Sequence, residues 1–235
     1  YCDLSMAHTA EKLAAQYGIA RKEADEFAYQ SQMRTKLAVE SGRLGQEIVP
    51  VDSALERDEH PRPETTREGL AELKPLFKKD GVVTAGNASG ICDGAAAVVL
   101  TTEENVKKYQ LEAAVKIRSW GITGCEPSVM GIGPASAIRA ALERAQLRRD
   151  QIDLIEVNEA FAAQYLAVER ELGLNREQVN VNGGAIALGH PLGATGARIT
   201  VTLMYELHRR GARFGLGSAC IGGGQGIALL IENIS

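Results

Sequence analysis

No basic tail and no Lys/Arg cluster interrupts this chain; its 26 Lys and Arg against 30 Asp and Glu leave a net charge of -4. That balance argues against nucleic acid as a partner. No apolar run approaches the roughly 20 residues that a bilayer span requires, which argues against a membrane protein. Four cysteines, Cys2, Cys92, Cys125 and Cys220, stand apart with no C-x-x-C pair. Their scatter opposes a disulfide framework and a structural zinc site and suits a reducing compartment. No metal-ligand spacing occurs, so no metal is expected. An initiator methionine and signal-peptide architecture are also missing: the chain opens Tyr1-Cys2-Asp3-Leu4, as the downstream part of something longer would.

What is present is ordinary globular composition. At 235 residues, 45% hydrophobic and 24% charged, the chain can bury one large core or two small ones. The residues from Thr9 to Gly42 read as two helices, the first capped by Thr9 and stopped at Gly18, the second running from about Arg21 to Ser41-Gly42. Ile48 to Val51 reads as a short extended piece. Asp52 to Arg67, charged and holding Pro61 and Pro63, reads as surface loop. The unbroken run Ala95-Ala96-Ala97-Val98-Val99-Leu100 predicts a strand buried on both faces. Beyond it a short helix near Glu103 to Tyr109 leads to alternation. Strands are expected at Val115–Trp120, Ile152–Val157, Phe214–Cys220 and Gly226–Ile231. Helices are expected at Ala135–Ala145, Phe161–Leu172 and Leu192–Arg210. This pattern predicts an α/β unit with helices packed on a mixed sheet, preceded by a helical and loop region to about residue 90.

Three junctions carry side chains suited to chemistry. Cys220 lies at a strand end before Gly222, Gly223 and Gly224, where free amides favour a thiolate and can bind an oxyanion. Pro191 holds His190 extended and suits the first turn of the next helix, whose dipole keeps the imidazole neutral. Asn158 ends a strand, where open α/β sheets keep ligand sites; its amide suits a water or an oxyanion, or else a helix cap. Each has a bland alternative: a buried thiol in a glycine turn, a capping histidine, a capping asparagine. His8, His60 and His208 have no glycine frame in sequence and read as structural.

The segment Val181-Asn182-Gly183-Gly184-Ala185-Ile186-Ala187-Leu188-Gly189-His190-Pro191-Leu192-Gly193 resembles the thiolase histidine block almost residue for residue. Gly217 to Gly224 is similar to the family's C-terminal cysteine block, and Asn158-Glu159-Ala160-Phe161, Thr84 to Gly90 and Val129 to Pro134 add to the likeness, which covers essentially the whole chain. The resemblance implies the thiolase fold, a layered αβαβα arrangement with mixed sheets. It implies a CoA-covering loop domain over 1–88, the last strand and helix of the N-terminal domain over 89–112, and the C-terminal domain over 113–235. The orphan strand Ala95–Leu100 would then have no sheet of its own to join, which is an aggregation hazard unless something pairs with it.

The implied activity is reversible Claisen condensation and thiolytic cleavage of 3-ketoacyl-CoA, with coenzyme A as substrate and no cofactor. His190 would activate a nucleophilic cysteine expected outside this chain and, with a water on Asn158, hold the enolate oxygen. Cys220 would be the acid/base, and the Gly222 N–H would stabilise the tetrahedral oxyanion. Matching positions suggest Arg62 near the nucleotide, Phe77, Ala85 and Ser89 along the pantetheine, and Met130, Ala160 and Phe161 near the acyl end. The Pro50–Asp58 link is shorter than in the family and lacks its basic turn. The resemblance further implies a complementary N-terminal polypeptide, negligible activity without it, a homo-oligomer, and a bacterial cytoplasmic or mitochondrial matrix location. A non-catalytic acyl-CoA-binding module is the competing reading, opposed by retention of Asn158, His190, Cys220 and Gly222 together. A β-ketoacyl synthase relative would present two histidines where this chain has Asn158 and Cys220.

Overall fold

The computed structural model describes residues 2–51 and 55–235. Two helices open it, α1 (Met6–Tyr17) and α2 (Arg21–Glu40). The α1 helix begins a turn earlier than the sequence suggests. The Ser5 hydroxyl, not Thr9, accepts the His8 N–H, while Thr9 Oγ1 bonds back to the Met6 carbonyl at 2.6 Å. Gly18, at φ 61°, ends α1 as expected, in the left-handed conformation that glycine adopts at little cost. A short helix α3 (Arg67–Glu72) follows the loop region, and α4 (Glu103–Tyr109) precedes the sheet. The shortened link before Asp58 lies partly outside the described residues; at Val51 an isolated bridge to Leu55 takes the place of a strand.

The run Ala95–Leu100 forms no strand. It has no ladder partner among the described residues, and Val99 is 96% exposed. An apolar run becomes a strand only when another edge supplies its hydrogen bonds, and the described residues offer it none.

Strands β1 (Val115–Gly124), β2 (Leu154–Val157), β3 (Phe214–Ile221) and β4 (Gln225–Asn233) form one mixed sheet in the order β1-β4-β3-β2. β4 runs antiparallel to both neighbours and β2 parallel to β3. The helix α5 (Gly133–Ala145) packs on one face. It approaches closely enough that a Cβ on Gly121 would strike the Ala137 carbonyl and one on Gly226 the Gly133 backbone. On the same side α6 (Ala162–Leu172) meets α1 and α2 in the main core, where Phe27 stacks on Tyr165 with ring centroids 4.2 Å apart. Burying side chains of this size contributes about 1.5–3 kcal/mol each.

A single turn α7 (Ala185–Leu188) leads to α8 (Thr195–Arg210), whose Ile199, Leu203 and Leu207 cover Leu154 and Ile231 on the opposite face. That helix covers β2, β3 and β4. The cross-strand pair Ile122 and Ile227 stays exposed, as does Trp120. α8 also starts later than the sequence suggests, at Thr195. Pro191 instead opens a turn whose carbonyl accepts the N–H groups of Ala194 and Thr195 at 2.8 and 2.9 Å.

Candidate active site

β2 ends at Val157, and Asn158 continues beside β3 through its N–H, which donates to the Ser218 carbonyl at 2.9 Å. Asn158 is buried and caps no helix; the residue at the start of α6 is Phe161. Its Nδ2 lies 3.4 Å from His190 Nε2, and its Oδ1 is buried with no hydrogen-bond partner among the described residues. A buried acceptor of that kind costs free energy unless something else occupies it, which is how a site for a water or a ligand group shows itself.

His190 is extended, as Pro191 demands, and pairs with the loop before it: its N–H donates to the Gly90 carbonyl at 2.8 Å beside the Ile91–His190 bridge. Its ring is held neutral, but for a different reason from the one expected. Burial lowers its pKa first, and the Arg198 guanidinium adds to the effect; the helix start lies a turn further on. On the other side of the ring, Nδ1 meets Thr195 Oγ1 at 2.7 Å.

Cys220 stands one residue before the end of β3, paired across to Gly226, and the Gly222-Gly223-Gly224 hairpin follows. The expectation that free amides favour its thiolate is overturned. Desolvation dominates, with the Cys125 thiol adding to it, and the pKa is pushed up to about 12. Cys220 is therefore a proton donor in its resting state. Gly222 lies beside the Met6 methyl, which a Cβ there would strike. Met6, Thr9, Met130, Pro127 and Gly223 line a cavity of about 350 Å³.

The proposed acyl-end, pantetheine and nucleotide positions are only partly brought together. Ser89 donates both N–H and hydroxyl to the Ala160 carbonyl at 3.0 Å, and Ala88 bridges Phe161, so Ser89, Ala160 and Phe161 are brought together. Met130 lines the cavity named above. Arg62 and Ala85 are exposed; the Arg62 N–H donates to Gln32 Oε1 at 2.9 Å. Phe77 sits on a separate surface depression with Lys74, Lys78 and Lys79, its ring edge-on to His8 at 6.0 Å.

Several residues were illegible in sequence. His60 lacks glycine neighbours along the chain, yet its ring packs against Gly90 and, with Cys92, against Gly189. Thr195 was in plain view five residues after His190, and only the turn between them shows that its hydroxyl reaches the ring. Met6 carries no signal that separates it from a core methionine.

Comparison with known proteins identifies the family. The family model "Thiolase, C-terminal domain" matches residues 111–233 and "Thiolase, N-terminal domain" matches residues 1–104. Human mitochondrial 3-ketoacyl-CoA thiolase is 52% identical over 240 residues, covering 99% of this chain and 60% of that protein. An acetyl-CoA acetyltransferase of Pseudomonas aeruginosa is 52% identical over 237 residues, again covering 60% of its length. The crystal structure of the human mitochondrial enzyme in complex with CoA superposes with a TM-score of 0.97 at 54% identity, covering 98% of this chain and 59% of that one. The Bacillus anthracis acetyl-CoA acetyltransferase gives 0.96 at 51% identity, covering 98% and 60%. The chain thus spans about 60% of the length of the curated relatives it matches. With both domain models matched and the fold superposed, the chain belongs to the thiolase family.

Proposed function

We propose that this chain supplies the acid/base and oxyanion-binding part of a thiolase, acting in reversible Claisen condensation and thiolytic cleavage of 3-ketoacyl-CoA. The observation that carries the reading is the pairing of buried Asn158 with the half-buried His190, 3.4 Å apart, with the Asn158 Oδ1 left open. A neutral His190 takes the proton of a cysteine thiol on the Nε2 lone pair that faces Asn158. The resulting Nε2–H then donates to the thioester oxygen as enolate charge develops, together with a water on Asn158. Cys220, protonated at rest, delivers a proton to the α-carbon or the departing thiolate and recovers it in the reverse direction. The Gly222 N–H faces the tetrahedral oxyanion. Such groups contribute on the order of 10²- to 10⁴-fold each.

The same reading divides the chain into a CoA-covering region over 1–88, a connecting segment over 89–112 and a catalytic domain over 113–235. Arg62, Phe77, Ala85 and Ser89 serve CoA, while Met130, Ala160 and Phe161 serve the acyl end. CoA is a substrate, and a human relative's structure holds it. The nucleophilic cysteine belongs to further thiolase sequence. That complementary polypeptide covers the exposed Trp120, Ile122 and Ile227 and pairs with the apolar segment ending at Leu100. Homo-oligomers form from the completed unit. No helix among the described residues is long and apolar enough to cross a membrane.

The test is native mass spectrometry of the purified protein followed by thiolysis of acetoacetyl-CoA on the same sample. A second thiolase polypeptide with activity that His190→Ala abolishes supports the reading. A chain that binds CoA and stays without turnover when the complementary polypeptide is present sinks it in favour of a binding module.

A further inference from the structure

Next to Asn158 stands a fully buried carboxylate that the chemistry above does not use. Glu159 is 1% exposed, and each of the three groups within hydrogen-bond reach of it is a donor. The Ser31 hydroxyl of α2 reaches Oε2 at 2.6 Å, the Ile186 N–H of α7 reaches the same oxygen at 3.2 Å, and Asn180 Nδ2 reaches Oε1 at 2.9 Å.

None of these donors can turn round. The Asn180 amide is fixed by Val157, whose N–H it accepts and whose carbonyl it bonds, both at 2.9 Å. Ser31 Oγ in turn accepts the Gly184 N–H at 3.1 Å, which commits its own proton to Glu159. Gly184 has to be glycine, because a Cβ there would overlap the carboxyl carbon of Glu159.

These contacts lie on both sides of the reactive pair. Asn158 is the preceding residue, and Ile186 is four residues before His190, on the only stretch of chain that leads into it from that side. We propose that Glu159 is a positioning residue: its carboxylate, clasped by Ser31, Asn180 and the Ile186 amide, fixes the separation between the Asn158 amide and the His190 ring. The proposal rests on the reading of Asn158 and His190 as the reactive pair. It adds that the separation depends on α2, whose Ser31 joins Glu159 to the Gly184 N–H and whose Gln32 Nε2 reaches the Ile186 carbonyl at 3.4 Å. Burial raises the Glu159 pKa, and the three donors act against that rise because each favours the carboxylate.

The full chain, labelled with ¹⁵N, provides the test by NMR, with Asn158→Asp and His190→Gln used only to assign resonances. In the wild type, the Asn158 side-chain amide shifts with the midpoint of the His190 ring, because a protonated Nε2 ceases to accept. In Glu159→Gln, which sets an amide N–H₂ against the fixed Asn180 donor, and in the milder Ser31→Ala, that linked shift shrinks several-fold while the remaining backbone spectrum stays folded. Full-sized linked shifts in folded Ser31→Ala and Glu159→Gln would overturn the proposal, and if Glu159→Gln does not fold, Ser31→Ala decides alone. A wild-type Asn158 amide indifferent to His190 protonation removes the reactive pair itself, and the proposal with it.

Discussion

His190 Nδ1 lies 2.7 Å from Thr195 Oγ1, and the threonine hydroxyl donates its own proton to the Pro191 carbonyl at 3.0 Å. With that proton committed, the threonine oxygen accepts from Nδ1–H. The neutral ring is therefore the tautomer with its lone pair on Nε2, facing Asn158.

Thr195→Val removes that acceptor and leaves the two tautomers in competition. ¹⁵N spectra of the wild-type ring are expected to show a protonated Nδ1 and a bare Nε2, and those of the variant a mixture. Turnover of the completed enzyme falls on the order of 10²-fold, the lower end of what a positioned proton-transfer group contributes. Thr195→Ser keeps the wild-type pattern. A valine variant with an unchanged tautomer would refute the assignment.

Cys220 should resist alkylation at neutral pH. With its pKa pushed up to about 12, the thiolate fraction at pH 8 is about 10⁻⁴, against about 10⁻¹ for an ordinary thiol. Peptide mapping after iodoacetamide treatment should find Cys220 labelled 10²- to 10³-fold more slowly than a free cysteine, by this order-of-magnitude estimate. Labelling as fast as a model thiol would mean the desolvation argument is wrong.

Glu156, 3% exposed on β2, has its pKa raised by burial to about 8 despite Arg198 at 3.6 Å. The folded protein keeps a proton that the unfolded chain sheds near pH 4.5, so this carboxyl's contribution to stability is whole below that value. It is lost as pH rises through about 8, by on the order of 5 kcal/mol. Urea unfolding of the wild type and Glu156→Gln between pH 5 and 9 measures the difference. Stability of the glutamine variant is expected to decline less; parallel curves would count against a buried, protonated Glu156.

Gly121→Ala probes how closely α5 sits on the sheet. The added methyl has the Ala137 carbonyl in its path, so either helix or strand must move. The expected loss is roughly 1–3 kcal/mol in denaturant unfolding. No loss would place α5 further from β1 than described.

Much of this site can be read along the chain wherever the cause is local. Pro191 keeps His190 extended, Gly18 ends α1, and the alternation after Val115 yields the mixed sheet. The membership of Asn158, His190 and Cys220 in one family pattern is likewise a property of sequence, because each motif is contiguous. What depends on distant partners was hidden. The run at Ala95–Leu100 reads as a buried strand but lies unpaired, since strand formation needs an edge that sequence cannot promise. Cys220 reads as a thiolate, yet desolvation outweighs its amides, and burial is set by how β3, β4 and their neighbours pack. His60 gains its glycine surroundings, and Glu159 its three donors, from segments distant in sequence; Ser31 lies 128 residues from Glu159. Local backbone chemistry thus determined where the reactive side chains stand along the chain. Tertiary packing decided their protonation and separation, because both depend on which distant atoms exclude water and supply hydrogen bonds.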